Sequence, residues 1–366
     1  MTRAGSGPSR GLAGLRCAPP TTDSWFVGGA TRVGDATLLV LANIDDTPAV
    51  VDVQIWSGTG RADSRPGRGI TVAARSRAAI ALDTLAPDRD LLAVHVVAER
   101  GRVASALRHA RFDGRTPTGV EWVPQAAPPA ATAVVPGLPQ GPGRRVVLVT
   151  NPGLDPTVVQ LQLTTGEGQL VPPGLDAVEV PAGTTVATDI TQLTDTTPAS
   201  VRVTSDGGPV LAGAFVYDAQ GTSPVKDFSY AGSTAPLSGP ALLTDLVLDR
   251  PTESTLLLSA PDGDAAVTVT PVPVLGEPGG LPPARTVPVP GGRTVAVRLS
   301  TFLPPGASGR FAVEVRPAGA APVYASRYLR ERGELGPLTT LLELRGAAQR
   351  VPLPAVVRDP AVGVSR

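Results

Sequence analysis

Cysteine, methionine, lysine and asparagine are almost missing from this chain: one Cys, one Met, one Lys and two Asn in 366 residues. The single Cys17 excludes an intrachain disulfide framework and any cysteine-based metal centre, and leaves the redox compartment open. The two histidines, His95 and His109, supply only half of a four-coordinate zinc site, and no third ligand falls at a suitable spacing. Nowhere does an apolar run approach the roughly 18 residues of a membrane-crossing helix, so no transmembrane segment is encoded. The net charge is zero, from 32 basic and 32 acidic side chains. A basic footprint for nucleic acid is therefore lacking, and electrostatic binding to a membrane surface is weak for the same reason. Residues 1–16 carry three Arg and no acid but no apolar core, so they do not read as a secretory signal. The run Leu-Ala-Gly-Leu-Arg-Cys at 12–17 has some letters of a lipidation box. The charged Arg16 before the Cys and the missing hydrophobic segment argue against it.

What is abundant is valine, glycine and proline: 46 Val against five Ile, 41 Gly and 40 Pro. Arg outnumbers Lys by 31 to one, a skew of the kind a GC-rich genome imposes, so arginine counts carry little functional weight. Gly plus Pro stays below the roughly 25–30 % of low-complexity chains, and Leu, Ile, Val and Phe exceed the roughly 20 % floor for folding. The chain should fold, and its length suggests two or three domains.

Repetition organises the chain. A short apolar run ending at a turn occurs at 38–43 (Leu-Leu-Val-Leu-Ala-Asn), at 146–151 (Val-Val-Leu-Val-Thr-Asn) and more loosely at 255–260 (Thr-Leu-Leu-Leu-Ser-Ala). A second block, at 73–77, 181–185 and 290–294, recurs at the same offsets of 108 and 109. A third, at 101–106, 208–213 and 321–326, should be the second strand of a hairpin closing each unit. Between these landmarks the pattern has period two: Val51, Val53 and Ile55 alternate with Asp52, Gln54 and Trp56, and Val159, Leu161 and Leu163 with Gln160, Gln162 and Thr164. The expected fold is all-β, with three tandem antiparallel β-sandwich (immunoglobulin-like) domains. Their boundaries are a disordered N-terminal tail at 1–21, repeats at 22–116, 130–232 and 240–335, and a C-terminal edge strand and tail at 336–366. The Pro- and Ala-rich stretches 116–143 and 232–240 read as stiff spacers. Residues 338–344 are the one plausible helical turn, and 351–357 an edge strand.

Residues able to carry chemistry are few, and each has a structural explanation. Asn43 and Asn151 occupy equivalent positions and read as strand-ending turns. The loop acids Asp45, Asp46, Asp155, Asp262 and Asp264 lack the ligand density of a calcium loop. His95 aligns with Arg202 and Glu314, so one position holds a neutral, a positive and a negative side chain, which suits a solvent-facing site. His109 aligns with Val216 and Leu329, a position that accepts apolar groups. Gly-Pro-Ser at 7–9 opens a G-x-S-x-G match that lacks the strand and helix of a nucleophile elbow. No catalytic, cofactor-binding or metal-ligating residue emerges, and no cofactor is implied. Trp56, on a face with Asp52 and Gln54, is the leading candidate for ligand or partner contact through an exposed ring. Trp25 and Trp122, flanking the first repeat, should plug its ends or its interface with the second.

One resemblance stands out. With Cys-Ala-Pro-Pro-Thr-Thr-Asp-Ser-Trp-Phe-Val-Gly-Gly at 17–29, Leu-Ala-Asn-Ile-Asp-Asp at 41–46, Gly-Arg-Val-Ala-Ser-Ala at 101–106, Val-Val-Pro-Gly-Leu-Pro at 134–139 and Val-Arg-Val-Thr-Ser-Asp-Gly-Gly-Pro-Val at 201–210, the chain resembles a family of uncharacterised actinobacterial envelope proteins. The likeness covers residues 17–232 best. It implies an N-terminal membrane segment ahead of the Cys and Trp-Phe residues, with the repeats outside the membrane, and brings no catalytic residues. The given sequence departs from that pattern because it opens without such a segment. The expected role is a non-catalytic, extracytoplasmic spacer or interaction module, its partner an unknown envelope protein or wall glycan. The rival expectation is a carbohydrate-binding or accessory protein recognising cell-wall glycan.

Overall fold

Alternation decides where each strand faces. In Asp35–Asn43, the side chains of Thr37, Leu39 and Leu41 are buried while those between them are only partly covered, and Ala49–Ser57 repeats the pattern with Val51, Val53 and Ile55 inside. A computed structural model describes residues 2–62, 64–218, 227–247, 252–273, 281–303, 310–333 and 336–346. Within them the chain is all-β, built from antiparallel sheets joined by turns and short 3-10 segments.

The same pair of sheets occurs three times. In the first repeat the opening sheet has the order Asp23–Val27, Ala93–Arg100, Ala49–Ser57, and the closing sheet the order Thr116–Val123, Ala104–Asp113, Asp35–Asn43, Ser76–Ala81. The second repeat matches it with Thr132–Leu138, Ala199–Ser205, Thr157–Thr165 and with Asp227–Gly232, Leu211–Asp218, Gly143–Thr150, Thr185–Asp189. The third does so with Ala241–Val247, Arg310–Pro317, Ala265–Pro273 and with Gly336–Glu343, Tyr324–Gly333, Thr252–Ala260, Arg293–Arg298. Each pair encloses its own apolar cluster, around Leu39, Val53 and Leu107 in the first, Val149, Leu161 and Val201 in the second, and Leu258, Val269 and Val313 in the third. The turn encoded at 73–77, 181–185 and 290–294 also repeats: Arg75, Gly183 and Gly292 all have φ between 51 and 71°. Glycine suits that conformation in two copies, and the first tolerates Arg.

Several expectations are corrected. The strands on either side of the turn at Gly101 do not pair as a hairpin; the chain crosses there from the opening to the closing sheet. The hairpin instead joins Ala104–Asp113 to Thr116–Val123, so strand order departs from the immunoglobulin arrangement. Residues 116–143 are not a spacer but carry Thr116–Val123 and Thr132–Leu138. Residues 232–240 are not a free spacer either, since Ser233, Thr234 and Leu237 are buried. The supposed helical turn at 338–344 belongs to strand Gly336–Glu343. Within the expected tail, residues 2–14 form a hairpin, Thr2–Gly5 with Gly11–Gly14, whose second strand is largely buried. The G-x-S-x-G letters fall in its connecting 3-10 turn, Gly7–Ser9. Most of these segments are rich in Gly or Pro, and strand Gly336–Glu343 is buried at nearly every position, so neither kind shows a period-two signal. The edge strand expected at 351–357 lies outside the described residues.

The repeats stack sheet on sheet. The outer face of the opening sheet of one repeat covers the outer face of the closing sheet of the next: Trp25, Val27 and Trp56 lie on Val146, Leu148 and Leu211, and Ser200 and Gly137 on Ser259 and Ser326. The closing strands also gather, Asp227–Gly232 lying against both Thr116–Val123 and Gly336–Glu343, with Gly11–Gly14 packed among all three.

Candidate functional site

The three residues singled out as contacts share the first repeat but not one environment. Trp25 and Trp56 stand on the outer face of the opening sheet, Trp25 opposite His95, and His95 opposite Gln54. Trp56 was expected to be an exposed ring. It is 2 % exposed, because the closing sheet of the second repeat covers the face that alternation turns outward. Trp25 is 7 % exposed in the same apolar cluster, so it does sit at the interface with the second repeat. The two indoles lie 5.3 Å apart, and the Arg61 guanidinium lies over the Trp56 ring at 5.3 Å. The buried indole nitrogen of Trp56 has no hydrogen-bond partner. Trp122 is half-buried on the closing strand opposite Arg108, away from the other two.

His95 is not free in solvent. Its ring stacks on Trp25 at 3.6 Å, and Nε2 meets the Asp23 carboxylate at 2.7 Å. Burial lowers its pKa, with the Asp23 hydrogen bond and charge opposing. The register confirms its alignment, since Trp25 pairs with His95 as Val134 with Arg202 and Leu242 with Glu314. Beside this cluster a polar hollow of about 430 Å³ is lined by Asp52, Gln54, Arg61, Ser64 and Arg68. Cys17 is exposed at the rim of a second groove, of about 260 Å³, floored by Val40, Ala42 and Ala106.

His109 belongs to a buried chain of polar groups that the sequence did not reveal. Its Nε2 bonds Asp35 at 2.9 Å and its Nδ1 meets the Tyr230 hydroxyl at 2.9 Å, while that hydroxyl accepts from the Gly29 amide at 3.2 Å. Burial pushes the Tyr230 phenol well up and holds the His109 pKa down, so both stay neutral, and the chain ties the closing strand of the second repeat to the first. His109 is only 2 % exposed, which leaves this Tyr–His–Asp array walled in by protein. Glu121 and Asp227, also missed, are buried on neighbouring closing strands. Burial pushes Asp227 up to about 7 against the pull of three backbone amides and Arg10, and burial pushes Glu121 well above the usual carboxylate range. The only sequence signal was an acid placed in a closing strand.

The asparagines do what their type allows. Asn43 Nδ2 donates to Thr47 O at 2.8 Å and Val72 O at 3.1 Å, and Asn151 Nδ2 to Asp155 O and Val180 O at the same two distances. Their Oδ1 atoms accept from Asp45 and Gly153 amides. Four of the five loop acids are engaged by protein groups: Asp45 by Arg102, Asp46 by Arg75, Asp262 by Arg202, Asp264 by the Gly291 amide. Among the described residues no cluster of three or more His, Cys, Asp or Glu is placed to hold a metal, and no helix is long and apolar enough to cross a membrane.

Comparison with known proteins gives a family but no activity. A family model described as a family of unknown function (DUF5719) matches residues 1–300, and the chain belongs to that family. No curated protein matches. Among solved structures, a Bacteroides uniformis beta-glucuronidase 2 aligns at 12 % identity and a TM-score of 0.13, over 67 % of this chain and 26 % of that one. A second Bacteroides uniformis beta-glucuronidase structure aligns at 11 % identity and the same TM-score. The chain thus spans about a quarter of those enzymes. A DUF4785 family protein from Legionella pneumophila aligns at 8 % identity and a TM-score of 0.12, over 92 % of this chain and 96 % of that one.

Proposed function

We propose that this member of the family is a non-catalytic spacer or interaction module of the cell envelope, working outside the cytoplasm. One observation carries the non-catalytic part: the side chains a site would draw on are committed to holding repeat to repeat. Trp25 and Trp56 fill the first joint, His109 and Tyr230 tie the same two repeats, and the Arg202–Asp262 pair spans the second. A stack of equal antiparallel sandwiches that fastens its own joints suits a part that sets distance and presents surface. The envelope location rests on the resemblance in residues 17–232.

Two measurements test the reading. Protease added to intact cells should cleave a tagged copy of the chain; full protection would overturn the extracytoplasmic placement. Titration with wall glycan should leave tryptophan fluorescence flat. The rival reading, glycan recognition, draws on the polar hollow lined by Gln54, Arg61 and Arg68, with Arg61 over Trp56. Saturable quenching that is lost in Arg61→Ala would favour it.

A further inference from the structure

The N-terminal strand Gly11–Gly14 is held in an unusual way. Residues two apart in a strand point their amides to the same side. Leu12 and Gly14 turn theirs away from the hairpin partner Thr2–Gly5, and among the described residues no third strand receives them. Two carboxylates do. Asp227 Oδ2 accepts from Leu12 N at 3.0 Å while also accepting from Thr339 N at 3.0 Å, and Glu121 Oε1 accepts from Gly14 N at 2.8 Å while also accepting from Trp122 N at 2.8 Å. Glu121 belongs to the first repeat, Asp227 to the second and Thr339 to the third, so a five-residue stretch reads all three.

Shape and side chains add selectivity. Leu12 is buried against Leu329 and Leu338, and Arg10 Nη2 donates to Pro337 O at 3.3 Å. A Cβ on Gly11 would come within 2.5 Å of the Val120 backbone nitrogen, and one on Gly14 within 2.5 Å of Thr340 Oγ1. Glycine is therefore required at the first contact by backbone, and at the second by a buried threonine.

We propose that the slot between the closing strands of the three repeats is a binding site for an extended peptide of the type Arg-Gly-Leu-x-Gly, occupied by the chain's own residues 10–14. Paired carboxylates, one from each of two repeats, stand in for the missing neighbour strand. A segment so bound fastens the first repeat to the third, reinforcing the bond that the Arg345 guanidinium donates to Gln125 O.

The test uses the full chain with a protease recognition sequence inserted between Pro19 and Thr22. After cleavage of the folded protein, the N-terminal fragment should co-elute with the body through gel filtration. Once displaced, it should be replaced by a labelled synthetic peptide of residues 1–16, with peptides carrying Leu12→Asp or Gly11→Val binding at least tenfold more weakly. Immediate loss of the fragment, or equal binding by the three peptides, would overturn the proposal. Should the cleaved protein unfold, hydrogen exchange on the intact chain decides: Leu12 and Gly14 amides protected as strongly as Thr339 support the site, and exchange at free-peptide rates refutes it.

Discussion

The two joints between successive repeats use one geometry and two chemistries. At the first, Trp25, Val27 and Trp56 lie on Val146, Leu148 and Leu211 in a buried apolar cluster. At the second, equivalent faces meet through hydroxyls and charges: Ser200 Oγ to Ser259 Oγ at 2.6 Å, Thr294 Oγ1 to Thr164 O at 2.6 Å, the Tyr328 hydroxyl to Asp218 at 2.9 Å and Gln169 Nε2 to Pro261 O at 2.8 Å. Close approach is solved by glycine in both, but from opposite sides. Gly213 makes room for Val27 on the receiving sheet of the first joint, and Gly137 makes room for Leu257 on the covering sheet of the second. The comparison teaches that backbone stacking is conserved within the molecule while the source of adhesion shifts: the second joint keeps apolar contact through Leu257 and Leu341 but adds a set of hydrogen bonds.

The largest effect should come from emptying the apolar joint. Trp56→Ala removes a ring filling the first joint and should cost about 3–5 kcal/mol in denaturant unfolding. Trp56→Phe should cost much less, because it deletes the unpartnered indole nitrogen together with part of the ring. A fully destabilising Trp56→Phe would show that indole shape, rather than area, holds the joint.

Next in size is the response of the buried carboxyls to pH. Asp227 is pushed up to about 7, so folding favours its protonated form, and its contribution to stability is fully present below about 4 and lost as pH rises through 7. In Asp227→Asn that window closes. The wild-type advantage over this variant should shrink by on the order of a few kcal/mol between pH 4 and 8, read as converging melting temperatures. Parallel pH profiles would contradict the assignment.

At the polar joint, Ser259→Ala strands the Ser200 hydroxyl and should cost about 1–3 kcal/mol. Adding Ser200→Ala should cost little more, so that a double-mutant cycle reports coupling between them. Smallest of all, Arg202→Ala breaks a partly exposed pair with Asp262 and should cost about 1 kcal/mol or less, falling further in high salt.

The sandwich fold, the repeat spacing and the equivalence of His95, Arg202 and Glu314 were legible, because a strand buried on one face writes itself as alternation. The closing strands were not. Thr116–Val123 holds Pro117, Gly119 and Glu121, and Gly336–Glu343 holds Pro337 and two consecutive threonines that are buried. Packed on both faces, such strands lose the period and look like linkers. Trp56 misled for a related reason: alternation tells which way a side chain points from its own sheet, and not what another repeat sets against it. The carboxylates at 121 and 227 were invisible because, apart from the amide of the next residue, their partners are backbone amides more than 100 residues away.

Every joint mates unlike surfaces, an opening sheet laid on a closing one, so the stack has a head and a tail. Such an arrangement is heterologous, and nothing in its symmetry asks the series to close on itself. The third repeat's opening sheet shows where that leads: Leu242, whose counterparts Trp25 and Val134 are buried, is 52 % exposed beside the Glu314–Arg316 pair. Order along the polypeptide is therefore directional information, and transposing two repeats would set a tryptophan-bearing face against serines that were shaped for hydrogen bonds.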